Sequence, residues 1–199
     1  FISSASSTVA GSLQVSAPVS ASSTLSVAGL ATQAGGFLSS ASSTISSSLH
    51  ISGVLRSSST LNVTGAAVLG DTLSVANLAT LSGGFVSVGS STVTDQLNVS
   101  GPLSASSTLT VAGLATQVGG FISSASSTIS SSLHISGVLR SSSTLNIGGI
   151  ATLGDALSAT NLATLSGGYV SVGSSTVTAQ LNVSGPVSAS STLSVANLA

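Results

Sequence analysis

The chain has 199 residues, of which 3% are charged, and its net charge is −1 at pH 7. That balance excludes electrostatic attraction to nucleic acid or to an anionic membrane surface. With no Cys there is no disulfide framework, no run approaches the roughly 18 apolar residues of a membrane span, and no signal-peptide pattern follows Phe1.

Richness in Ser and Gly often marks a flexible linker. Here 42% of residues are hydrophobic, and they recur at fixed places, which favours an ordered repeat. From Phe1 the sequence can be cut every twelve residues without a gap: FISSASSTVAGS, LQVSAPVSASST, LSVAGLATQAGG, and so on through LSVANLATLSGG at Leu73–Gly84. Sixteen such units fit, and seven residues, LSVANLA, remain. The expectation is a single continuous array over residues 1–199, cut from a longer chain.

Within a unit the first and third positions are usually apolar (Leu73 and Val75, Leu97 and Val99, Leu133 and Ile135), and the second is usually polar. That is strand alternation. Alternation resumes at the seventh and ninth positions, as at Ala79 and Leu81. The fifth position is often Gly or Asn (Gly29, Asn77, Gly101, Asn161), residues that accept positive φ in a turn. Pro18, Pro102 and Pro186 all stand at the sixth position, past that turn, where no ladder N–H is needed. The unit reads as strand, turn, strand, turn, with positions one, three, seven and nine inward. The fold class expected is all-β: a β-solenoid of 12-residue rungs, sixteen of them making a rod of roughly 75 Å.

Units opening with an aromatic begin at Phe1, Phe37, Phe85, Phe121 and Tyr169, and the segment from Phe37 nearly recurs from Phe121, 84 residues on. The super-repeat is divisible by twelve and not by eighteen, which argues against an 18-residue, three-sided coil of hexapeptides, although the half-unit does look like a degenerate hexad. The aromatic units carry Ser at position three (Ser39, Ser87, Ser171) and apolar groups at the outward position two (Ile2, Leu38, Val86, Ile122, Val170). This suggests either a bulky rung or a periodic contact for another chain. With Leu30, Leu78, Leu114 and Leu162 at position six, these apolar groups predict an exposed stripe. A thin interior and such a stripe favour self-association: a homo-oligomer, as a symmetric trimer or an end-to-end filament.

The motif L-x-V-x-G-x-A-T-L, seen with small departures at Leu73–Leu81 and Leu157–Leu165, resembles the shaft repeats of viral and phage tail fibres and of bacterial surface stalks. The phrase SASST (Ser104–Thr108, Ser188–Thr192) is similar to repetitive surface proteins of small bacterial lineages. The resemblance covers the whole chain. It implies an extracellular or virion-surface fibre, multimeric, with binding activity in tip domains elsewhere.

Few residues could carry chemistry. His50 and Arg56 share one twelve-residue unit, and His134 and Arg140 repeat them, all at outward positions. One His without a carboxylate makes no metal site, and a Ser–His pair says nothing where Ser is everywhere. Asp71, Asp95 and Asp155 sit at position eleven, in a turn; calcium-binding repeats carry Asp in every coil. No Gly-rich phosphate loop is present. Asn62-Val-Thr, Asn98-Val-Ser and Asn182-Val-Ser are outward glycosylation sequons. No catalytic, cofactor or metal residue is expected, and no enzyme. The expected function is a stiff structural shaft of an extracellular filament, fibre or adhesin stalk. The alternative is a binding module whose flat face recognises ice or polysaccharide, although the T-x-T pattern at Thr92, Thr108 and Thr176 does not read as a ladder.

Overall fold

A computed structural model describes residues 1–198. Every element in it is a strand, from Ile2–Ser3 to Leu193–Leu198, and nearly all are three residues long. Each strand pairs in parallel with the strand eighteen residues away: Phe37 stands beside Val19 and Leu55, Leu61 beside Ser43 and Ala79, Leu103 beside Phe85 and Phe121. The β-solenoid expected from the sequence is therefore present, and its rung is eighteen residues, not twelve. Three strands and three corners close each turn.

The strands stack in three columns. Column I contains Val19–Ala21, Phe37–Ser39, Leu55–Ser57 and their successors to Ala163–Leu165. Column II runs through eleven strands from Ser7–Val9 to Val187–Ala189. Column III contains Leu13–Val15, Ala31–Gln33, Leu49–Ile51 and their successors to Leu157–Ala159. Near the C-terminal end, Ser175–Val183 continues unbroken through a corner and joins columns III and I. Eleven rungs at about 4.8 Å make a rod of roughly 50 Å, shorter than sixteen rungs would give. The ladder continues into the corners, where Phe37 N donates to Val54 O at 2.8 Å and Ser40 N to Ala21 O at 3.0 Å.

The twelve-residue and eighteen-residue readings share the hexad, so the inward positions are unchanged. From Val19 to Leu181, residues one and three of each hexad are buried and residue two faces out, as at Leu49, His50 and Ile51 or Leu109, Thr110 and Val111. What differs is closure. Three-residue corners turn the chain by a third of a revolution, and six inward side chains per rung meet in one interior. A single chain thus closes its own core from Val19 to Leu181, so the interior does not need partner chains to be filled. The divisibility argument fails because a repeat need not return to the same face. Eighty-four residues are four and two-thirds turns, so each super-repeat feature reappears one column over. Phe37 lies in column I and Phe121 in column III.

The aromatic rungs are bulky rungs. Phe37, Phe85, Phe121 and Tyr169 are buried, 0–2% exposed. Their position-three serines are inside too, and each meets the serine that opens the next strand: Ser39 with Ser43 at 2.8 Å, Ser87 with Ser91 at 2.7 Å, Ser123 with Ser127 at 2.8 Å. Ser39 and Ser123 also donate to the carbonyls of Ala41 and Ala125 at 2.6 Å. Two small side chains make room for one ring, and their hydroxyls are satisfied locally, as buried polar groups must be. The exposed serines of the same phrase zip the corners along the axis, Ser42 to Ser59 at 3.1 Å and Ser90 to Ser107 at 3.0 Å.

Corner glycines serve mainly for close stacking. A Cβ on Gly101 would lie 2.7 Å from the Gly83 backbone. Among the described residues positive φ occurs only at Gly84 and Gly168, not at the fifth position where turn chemistry suggested it.

Two core positions, Gln33 and Gln117, are poorly matched, each with an unpartnered Oε1. Gln117 is 3% exposed, and its Oε1 has no partner. Its Nε2 donates to Gly120 O at 2.5 Å, a carbonyl that already accepts Leu103 N at 3.0 Å. Gln117→Leu removes a redundant bond and an unmet acceptor, and should raise unfolding stability by about 1 kcal/mol. A chemical-denaturation midpoint lower than that of the parent chain would contradict this.

Candidate interaction surface

The structure places every His, Arg and Asp side chain outside the core, on exposed positions. His50 stacks between Thr32 and Val68 in column III, while Arg56 stacks between Leu38 and Ser74 in column I. They lie on neighbouring faces of one turn and do not converge. His134 lies in column II between Thr116 and Thr152, and Arg140 in column III between Ile122 and Ser158. Among the described residues no three His, Asp or Glu side chains gather as metal ligands, and no helix is long and apolar enough to cross a membrane.

The apolar stripe expected from the sequence is broken up by the eighteen-residue rung. Leu30, Leu78 and Leu162 fall on three different corners. The outward apolar groups of the aromatic rungs are exposed as expected, Leu38 at 45% and Ile122 at 48%, but on different faces.

Two features replace the stripe. The first is polar. Down column II the outward residues are Thr8, Ser26, Thr44, Asn62, Thr80, Asn98, Thr116, His134 and Thr152, each beside the next in the ladder, followed by Val170 and Ser188. Column I aligns Thr92, Thr110 and Thr128, then Asn146 and Thr164. Threonines that look scattered on a twelve-residue register thus form rows. Dividing the sequence by eighteen would have revealed them. The sequons Asn62 and Asn98 fall in the first row, and Asn182 continues the second beside Thr164.

The second feature is a pair of hollows. At the corner between columns III and I, Gly36 stacks between Pro18 and Val54, and a hollow of about 330 Å³ opens there beside Leu38 and Arg56. At the corner between columns II and III, Pro102, Gly120, Ile122, Val138 and Arg140 build a smaller one of about 160 Å³. Position for position the second is the first shifted by 84, with Ile122 in place of Leu38. The two arginines of the chain are both at these hollows.

Comparison with protein-family models, with characterised proteins and with solved structures finds no match. Functional inference therefore rests on the rod and its surfaces.

Proposed function

We propose that the chain is a structural element: a stiff shaft segment of an extracellular filament, fibre or stalk, acting as a spacer and carrying no catalysis. The observation that supports this most is the regular parallel register, in which strands pair eighteen residues on without an inserted loop from the first rung as far as Val177, the register slipping by one residue only between Val177 and Gln180 in the last pairing. A binding cleft or catalytic groove in a solenoid is built by such insertions or by clustered charge, and this chain spends its sequence on repetition instead. Most of its buried polar side chains are serines satisfied by one another or by nearby carbonyls. The resemblance to fibre shafts and surface stalks, and the placement outside the cell that it implies, belong to the same reading. Electron microscopy of the purified protein is the test. Straight rods of uniform width, alone or joined into filaments, are the expected result; irregular globules would overturn it.

A second reading is favoured by the Thr and Asn rows. Evenly spaced hydroxyl and amide groups on a flat parallel sheet, repeating at about 4.8 Å, are suited to a periodic surface such as ice or a polysaccharide. Each row is a single file, which offers less two-dimensional match than paired Thr files. A thermal-hysteresis assay and a pull-down on insoluble polysaccharides decide this reading, and inactivity in both removes it.

A further inference from the structure

We propose that the hollows are halves of a self-complementary contact through which two copies of this chain pair side by side and antiparallel. The inference rests on the shaft reading only in treating the sides of the rod as contact surfaces. At the corner between columns III and I, successive rungs present, in axial order, the Gly36 hollow, Val54 with Arg56, Asp71, and Val88. Val88 is 57% exposed, among the most exposed large hydrophobic side chains of the chain. Arg56 has Leu38 and Ser74 beside it in its column, not a carboxylate. The Asp71 carboxylate lies over the glycine of the next rung, where a Cβ on Gly89 would come within 3.0 Å of its Oδ1.

A two-fold axis through this corner, perpendicular to the rod and between the Arg56 and Asp71 rungs, reverses the order. Arg56 of one copy then faces Asp71 of the other, and Val88 of one faces the Gly36 hollow of the other, each contact made twice. That is the self-matching required of an isologous interface. The chain has two guanidinium groups and three carboxylates, so the charge complementarity is specific.

The whole patch recurs 84 residues on. Gly120, Arg140, Asp155 and Val172 occupy the same places at the corner between columns II and III, with Val172 58% exposed. A Cβ on Gly173 would fall 2.5 Å from Asp155 Oδ1, in the same arrangement. Asp95 is not repeated, since Ala179 stands at its equivalent, and it belongs to neither patch. Because 84 residues rotate the patch by a third of a turn, one straight neighbour cannot engage both. Each rod therefore takes a different neighbour at each patch, and association builds a lateral network rather than closed dimers.

The test is charge reversal read by sedimentation velocity at low ionic strength. The parent chain should associate with rising concentration and less so in added salt. Arg56→Asp with Arg140→Asp should remain monomeric, as should Asp71→Arg with Asp155→Arg, because each patch then faces its own charge. Mixing the two variants should restore association, with an apparent Kd at least about tenfold below that of either alone. Val88→Ser with Val172→Ser, on exposed positions that the fold does not need, should weaken pairing without changing charge, whereas Asp95→Arg should leave it unchanged. A parent chain that stays monomeric at all concentrations, or reversed variants that fail to recover on mixing while circular dichroism shows them folded, overturns the proposal. Rods seen in the microscope would leave the shaft reading standing in either case.

Discussion

Leu109→Asp should break the rod where Thr110→Asp, one residue later, barely disturbs it. Leu109 is 1% exposed and Thr110 faces outward. Along column I the neighbours of Leu109 are Ser91 and Ser127. Leu97 and Phe121, its axial neighbours on a twelve-residue register, instead border with it a small void in the core. A carboxylate placed there meets the Ser91 and Ser127 hydroxyls, already paired with Ser87 and Ser123, and otherwise aliphatic and aromatic carbon, with no cation inside. The cost should exceed about 3 kcal/mol, by transfer of a charge from water or by forced protonation. Thr110 stands between Thr92 and Thr128 in the outward row, where an aspartate stays hydrated. Its cost should be about 0.5–1 kcal/mol, set by the lower strand preference of Asp. Melting curves of the two variants check this. Equal damage would mean that the outward row is covered in solution, which is also what lateral pairing along that face would produce. Greater damage from Thr110→Asp would invert the assignment of faces.

The in-and-out pattern was legible because the hexad carries it. Leu, Val and Ala at positions one and three are buried whichever rung length is assumed, so period-two alternation identified the core from Leu25 to Leu165 without a structure. Rung length was not legible from alternation. It depends on how far each corner bends the chain, and the corner residues are Ser, Gly, Asn and Ala in mixed order. The sequence did hold the answer in a different form. Thr recurs at residues 8, 44, 80, 116 and 152, spacings of 36, twice the rung, and the buried serines come as a pair four apart. The hollows were invisible on the twelve-residue register, because Pro18, Gly36 and Val54 become neighbours only when residues eighteen apart are stacked. The arginines were identified as outward, but their partners in the surface were not.

The aromatic rungs provide a sharper test of why the core has this composition. Wherever an aromatic opens a hexad, Ser follows at position three and again at the start of the next strand: Phe85, Ser87 and Ser91; Phe121, Ser123 and Ser127; Tyr169, Ser171 and Ser175. Tyr169 goes further and shares a hydrogen bond of 2.5 Å between its hydroxyl and Ser175 Oγ. If ring and serines are matched in volume, the combined variant should cost less than the sum of the single changes. Phe121→Leu removes ring volume beside side chains too small to fill the gap and should cost about 1–2 kcal/mol. Ser123→Val adds a branched side chain against the ring and strips Ser127 of its 2.8 Å partner, for about 1–3 kcal/mol. The double variant Phe121→Leu with Ser123→Val recreates the Leu-x-Val hexad found at Leu73–Val75 and Leu97–Val99, whose own inward positions are buried without a ring. It should recover about 1 kcal/mol or more relative to additivity. Ser127 remains without its partner, so recovery should be incomplete until Ser127→Leu is added. Denaturant midpoints of the two single variants, the double and the triple give the coupling. Strict additivity would mean that the rung tolerates volume locally, and that the serines are there for the corner hydrogen bonds to Ala125 rather than for the ring.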